Sequence, residues 1–465
     1  MKKLFVISFI ISVSVSYTQA QVYPNYSQLD TVVFGELKAT NTPGAALAII
    51  KNNKIVFSKA YGISNIETGA PVTTDMLFYH GGLSRLFIAT TILLLAEEGK
   101  LNINIPIGNY IKGLTPKIAR VTTHQLLSST AGLTEEHQTR CLCDTASMNN
   151  IIHTWKEDRV FTEPGKIYSG SHLSFALAGL VIQKVTGKPF ADVVKEKVFK
   201  PLGMNRTTYR LLEAITYPFS QGHTSSGNEL PKIYQPFAQN SVGWPRNSFI
   251  SVNDASRFLI ALVNDGMLEG REVLSSSVIR ALLKAYTINP ASPGEEIGYG
   301  VDISNNQGYR LLDTNTGWAG FDASVQIVPE QHLGMIILSN GKPLPRLTRE
   351  ALQLSVNGQT PLVGSMKEKL QMLPGEAKNY VGIYANERIM KLLLKDDKLF
   401  LQDDSHSNGL SSQTKGEEWQ VSKVGDHYFI AANADASRSI EFALIKENDK
   451  IIYMHYGGRA LKKQE

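Results

Sequence analysis

Both cysteines of the chain, Cys141 and Cys143, fall with His137 and His153 inside one stretch of 17 residues. Thiolate and imidazole together suit zinc or copper, but the spacing matches no common site and no metal or other cofactor is expected. In an oxidising compartment the pair could instead close a tight, strained disulfide, since residues i and i+2 of a strand share a face, or remain as two thiols. A serine hydroxyl needs an adjacent base before it attacks an acyl carbon. His172 has a ring suited to general-base work near neutral pH. His80, just ahead of an apolar helix, reads as a packed side chain, and Asp254 as a helix cap.

The elements that must carry these groups are legible from periodicity. Ala46–Ile50 and Ile55–Phe57, joined by Lys51-Asn52-Asn53-Lys54, read as a β-hairpin with a polar turn. Residues 83–98 are apolar on most faces and stop at Gly99, as a buried helix closed by a left-handed glycine does. Residues 173–185 predict a second apolar helix ending near Gly187, and Ala255–Val263 a third, with Asp254 before it. Strand patterns return at 321–328 and 333–338. An early hairpin, many helices and late strands predict an α+β fold: an antiparallel sheet flanked by helices and a helical subdomain. From Tyr380 onward, short alternating segments separated by Asp-Asp, Gly-Glu and Asn-Asp predict a small all-β sheet or barrel of about 90 residues.

Composition narrows the function classes. With 43% hydrophobic and 19% charged residues, the 465-residue chain is globular and long enough for two or three domains. Met1-Lys2-Lys3, the apolar run Leu4–Ser16 and Thr18-Gln19-Ala20 have the layout of a cleavable export signal, so residues 1–20 are expected to be removed and the protein to be periplasmic or secreted. No later segment reaches eighteen uninterrupted apolar residues, and no integral membrane segment is expected. Losing Lys2 and Lys3 takes the basic count from 47 to 45 against 42 acidic residues, a net of +3. No basic cluster is dense enough to track a phosphate backbone, which argues against nucleic acid.

Several segments together resemble the serine β-lactamase-related superfamily, which includes class C β-lactamases, D-alanyl-D-alanine carboxypeptidases, D-aminopeptidases and esterases. Phe78–Leu101, ending Leu95-Ala96-Glu97-Glu98-Gly99-Lys100-Leu101, is similar to the nucleophile helix of that family. Thr122–Leu133 (TTHQLLSSTAGL) resembles its LLTHTSGL segment, Pro164–Gly187 its second-motif region, Ser251–Gly266 its STxxDLARF helix, and Asn315–Asn340 its third motif and last strands. The resemblance implies a β-lactamase-like domain over 21–365, and the trailing region 372–465 looks like the small lipocalin-like barrel that many members carry.

At the motif positions the chain departs from the pattern. The family uses a serine and, three residues later on the same helix face, a lysine to take its proton. Here the positions read Gly82 and Arg85: glycine has nothing to acylate, and an arginine with a pKa above about 12 is no neutral base. The second motif, Tyr-x-Asn, becomes Gly170-Ser171-His172, with Tyr168 two residues earlier and able to reach in only if the loop shifts. The third becomes Asn315-Thr316-Gly317, which keeps the glycine that lets a backbone approach but brings no charge.

The resemblance with these replacements implies a pseudoenzyme rather than an active hydrolase. With side chains absent at Gly82 and Gly170, the pocket floor is expected to be open. Arg85, Tyr168, His172, Asn315, Gly317 and Trp318 are expected to line it, for a small peptide-like or anionic ligand. A buried arginine needs an anion, from a ligand or from within the fold. The alternatives are an active serine hydrolase or acyltransferase working on ester or amide bonds through relocated Ser84 or Ser171, and an interaction role for the C-terminal β domain. No protein partner is identifiable.

Overall fold

The structure, a computed structural model, describes residues 24–134, 152–153, 155–225, 229–234, 248–306, 308–318, 320–356, 369–386, 388–404 and 416–464. His137, Cys141 and Cys143 lie outside the described residues. Ala45–Ile50 is apolar at every position, which suits a strand covered on both faces. It forms most of β1 (Gly44–Lys51), which turns through Asn52 and Asn53, both at positive φ, into β2 (Lys54–Gly62). Asparagine accepts that conformation readily, as a two-residue hairpin requires.

β1 and β2 edge an antiparallel eight-stranded sheet completed by β5 (Thr287–Ile288), β6 (Glu295–Ile297), β7 (Asp302–Asn306), β8 (Tyr309–Trp318), β9 (Phe321–Val328) and β10 (Leu333–Ser339). The spatial order is β2-β1-β10-β9-β8-β7-β6-β5. Strand alternation splits β1 between two cores. Ala45, Leu47 and Ile49 face α1 (Leu29–Thr40) and α5 (Pro345–Ser355), in a cluster with Leu29, Val33 and Leu347. Ala46, Ala48 and Ile50 face the other way, into the larger core with Phe87, Leu177 and Phe258.

Those three side chains mark the helices of the second layer. α2 (Gly82–Glu97) follows the short strand β3 (Phe78–His80), which pairs with β4 (Ser248–Ile250), and Gly99 at φ +68° ends its last turn. α3 (His172–Thr186) starts at Ser171, whose Oγ accepts from Leu173 N at 3.2 Å, and stops at Gly187, φ +69°. α4 (Val252–Val263) begins three residues earlier than the apolar pattern predicts, because Ser251 is the cap: its Oγ accepts from Asp254 N at 3.2 Å. Asp254 therefore does not cap its helix. Its Oδ2 instead accepts from Arg206 N (3.0 Å), Thr207 N (2.9 Å) and Thr207 Oγ1 (2.7 Å), stapling that loop to the first turn. Asp254→Ala should orphan these three donors and cost about 2 kcal/mol, read as a lower urea midpoint at unchanged m-value.

The C-terminal region is a closed barrel of eight antiparallel strands. In chain order they are β11 (Gly382–Ala385), β12 (Ile389–Lys395), β13 (Lys398–Asp403), β14 (Glu418–Lys423), β15 (Tyr428–Ala432), β16 (Ser439–Glu447), β17 (Lys450–Tyr456) and β18 (Arg459–Lys463). Every strand pairs with its sequence neighbour, and β11 with β18 closes the ring, which leaves no free edge. Tyr384, Met390, Leu392, Leu401, Phe429, Phe442 and Met454 fill its interior, so the barrel is solid. It rests on the main domain through a small apolar cluster of Ile167, Tyr453 and Ala460, the Thr162–Tyr453 hydroxyl bond (2.7 Å) and the Lys166–Glu447 ion pair (2.8 Å). Among the described residues, no helix is long and apolar enough to cross a membrane.

Candidate functional site

Between α2, the start of α3 and the C-terminal end of β8 lies a cleft of about 220 Å³. Arg85, Tyr168, Gly170, Ser171 and His172 line one side, and Asn315, Gly317 and Trp318 the other. The sequence-predicted lining residues thus do converge. Trp318 stays 43% exposed and forms a wall rather than packing in the core. Gly82 and Ser84 are not among the lining residues.

The first turn of α2 is tied into the sheet by a histidine. His80 is buried at the end of β3, and its Nε2 accepts from Leu83 N at 2.8 Å. That bond fixes the tautomer: Nδ1 carries the proton and donates to Thr316 Oγ1 at 3.2 Å. Burial, with the Arg85 charge nearby, lowers the His80 pKa to about 3, so it stays neutral. Thr316 Oγ1 also accepts from Gly82 N at 2.9 Å.

The position expected to leave the cleft floor open at Gly82 is closed. A Cβ there would lie 2.8 Å from Thr314 Oγ1, 3.0 Å from Thr314 O and 3.0 Å from His80 Cε1. Gly170 is filled as well: its Cβ would stand 2.4 Å from Arg459 Nη1 and 3.3 Å from Gly458 O, both from the barrel. The expectation of an opened floor is corrected in both places, because neighbours from other elements occupy the volume that the absent side chains leave.

Arg85 Nη2 donates to Thr314 Oγ1 at 2.8 Å, while its buried Nε has no hydrogen-bond partner among the described residues. Its charge acts on Asp302 and Asp313, which sit opposite each other on β7 and β8. Burial, Asp302 and Glu295 push Asp313 up to about 7, and Arg85 opposes that rise. Arg85 thus lies near enough to be felt by both carboxyl groups, without an ion pair to either.

The two serines considered as relocated nucleophiles are otherwise engaged. Ser84 is fully buried, its Oγ 3.0 Å from His80 O and 2.7 Å from Ser248 Oγ. Ser171 Oγ donates to Thr134 O at 3.1 Å while it caps α3. Neither bond leads to a base. Tyr168 reaches the cleft without any loop shift, but burial first and Asp302 second raise its pKa to about 12, which keeps the phenol protonated. Asn315 Nδ2 donates to Asp313 Oδ1 at 3.0 Å, and at Gly317 the close approach is made by Asp322, whose Oδ2 lies 2.9 Å from where a Cβ would be. His153, the described member of the Cys/His stretch, has Nε2 2.8 Å from Lys112 O. Among the described residues no group of three or more metal-ligating side chains occurs.

Sequence reasoning missed Thr314 and Thr316, the capping role of His80, and Arg459. The alternation of β8 could have placed the two threonines on one face, toward α2. Gly457-Gly458 between two strand-like runs was a legible hairpin signal, but nothing local joins it to Gly170.

Comparison with known proteins agrees with this architecture. Protein flp of Staphylococcus aureus (strain NCTC 8325 / PS 47) is 25% identical over 209 residues, 44% of this chain and 41% of that protein. The chain thus spans about two fifths of that curated relative's length. The crystal structure of SurE superposes with a TM-score of 0.77 at 17% identity, covering 94% of this chain and 99% of that one. The octameric penicillin-binding protein homologue from Pyrococcus abyssi gives 0.64 at 19% identity over the same shares. At these identities the two structures share the fold. Residues 29–357 match the Beta-lactamase family, well over half of the length, and the chain belongs to that family.

Proposed function

We propose that the chain is a catalytically impaired member of its family, a pseudoenzyme that binds a small peptide-like or anionic ligand in the cleft. Position 82 carries this reading. It has no side chain to acylate, and the space a serine there would need is occupied by Thr314 and His80. Arg85, three residues on, is permanently charged and cannot accept a proton near neutral pH. What remains suits recognition: two guanidinium groups, Arg85 and Arg459, with His172, Asn315 and the exposed ring of Trp318. A leader over 1–20 and export to the periplasm or medium fit this reading, as do domains over 21–365 and 372–465, each with its own core.

Intact-protein mass spectrometry after incubation with a penicillin, an activated ester and a fluorophosphonate tests the reading. The expected result is an unmodified mass for folded protein with all three reagents. A stoichiometric adduct mapped to Ser84, Ser171 or another serine would establish the alternative, a serine hydrolase or acyltransferase with relocated residues.

A further inference from the structure

The barrel reaches the cleft with one feature, the tight turn between β17 and β18. Tyr456 and Arg459 pair directly, so Gly457 (φ +56°) and Gly458 (φ +73°) form a two-residue hairpin loop, which favours positive φ at both positions. The tip therefore has no side chain of its own and is narrow. Its Gly458 carbonyl accepts a hydrogen bond from Gly170 N at 2.9 Å, and Arg459 Nη1 stands where a residue 170 side chain would begin. Three further contacts anchor the hairpin's flanks to the same loop. Ala460 N donates to Ser169 Oγ at 3.2 Å, His455 Nε2 donates to Tyr168 O at 3.1 Å, and the Tyr168 and His455 rings lie 5.5 Å apart.

We propose that the Tyr456–Arg459 hairpin is a built-in plug of the cleft, seated on the side-chain-free position at Gly170, with Arg459 as its movable part. The two contacts at Gly170 differ in kind. The Gly458 carbonyl is loop backbone fixed between the paired Tyr456 and Arg459 and by its hydrogen bond, whereas the guanidinium is the far end of a long side chain with several rotatable bonds. With the plug seated, the cleft holds about 220 Å³, below the roughly 300–1,000 Å³ of sites that enclose drug-sized ligands. A glycine at 170 is what lets the hairpin seat, because any larger residue contests the space of Arg459 first and of Gly458 O next. This closure goes beyond the reading above, since it holds whichever ligand the cleft takes.

The test uses a reporter thiol on the cleft wall, Ser129→Cys, at a buried lining position. Labelling by a bulky maleimide is followed by peptide mapping, which separates that thiol from Cys141 and Cys143. Adding Arg459→Ala should raise the labelling rate about tenfold, because the apparent rate follows the open fraction. Rates equal within about twofold would overturn the plug. As a second measurement, Gly170→Tyr in the full chain should speed hydrogen exchange across 453–462 and leave the barrel strands at 390–401 as in the wild type. Unchanged exchange at the hairpin would likewise overturn it.

Discussion

Gly82→Ser is expected to lower the melting temperature without producing an acylated protein. The new Cβ would meet Thr314 Oγ1 at 2.8 Å, and the backbone oxygen of Thr314 at 3.0 Å. A hydroxyl can rotate away, but a carbonyl inside a paired strand cannot, so the first turn of α2 must shift. Overpacking of this kind costs about 1–3 kcal/mol. The first helical amide, which in an acyl-transfer site would be free to stabilise a developing oxyanion, already donates to Thr316 Oγ1. Adding Arg85→Lys restores the residue types of the motif but not the space. Calorimetry of the single and double variants, with intact mass after penicillin treatment, checks both halves. A double variant that melted with the wild type and carried a stoichiometric adduct at position 82 would defeat the claim that packing has closed the site.

His80→Ala should be costly at neutral pH and far less so in acid. At about pH 7 the variant loses the acceptor for Leu83 N and the donor to Thr316, and leaves a cavity at a buried position. Together these amount to about 3 kcal/mol. Burial holds the folded-state pKa of His80 near 3, against an ordinary 6.5. Below pH 6.5 the unfolded chain therefore binds a proton that the folded chain refuses, and His80 destabilises the fold progressively as the pH falls toward 3. At about pH 4.5 this penalty reaches roughly 2–3 kcal/mol, and the variant does not carry it. The stability gap between the two proteins should close by about that amount. Asp313 and Asp322, which burial raises to about 7, act in the opposite direction in both proteins, so the difference isolates His80. Urea unfolding at the two pH values measures it. A gap of the same size at both would mean that His80 is protonated in the fold.

Much of the fold was legible from period and punctuation. The hairpin Ala46–Phe57, the helix stopped by Gly99, the helix stopped by Gly187 and the alternating runs after Tyr380 all appear where the pattern placed them. Each rests on local rules, the alternation of faces and the need for positive φ at a helix end. The start of α4 shows the limit of such rules. Ser251 and Asp254 are both good capping residues, and only the side-chain geometry decides that Ser251 caps while Asp254 holds another loop.

For the candidate site, the sequence by itself determined which residues stand at the three positions argued from: a glycine at 82, an arginine at 85 and a glycine at 170. It also named Tyr168, His172, Asn315 and Trp318, which the structure places around one cleft. Only the tertiary structure decided what stands against those two glycines: Thr314 and His80 at one, and the barrel's Arg459 at the other. A missing side chain leaves a space whose occupant comes from whichever element packs against it. Close packing of the interior demands that the space be filled, but the spacing of residues along one segment carries no information about a strand or hairpin that arrives from elsewhere in the chain.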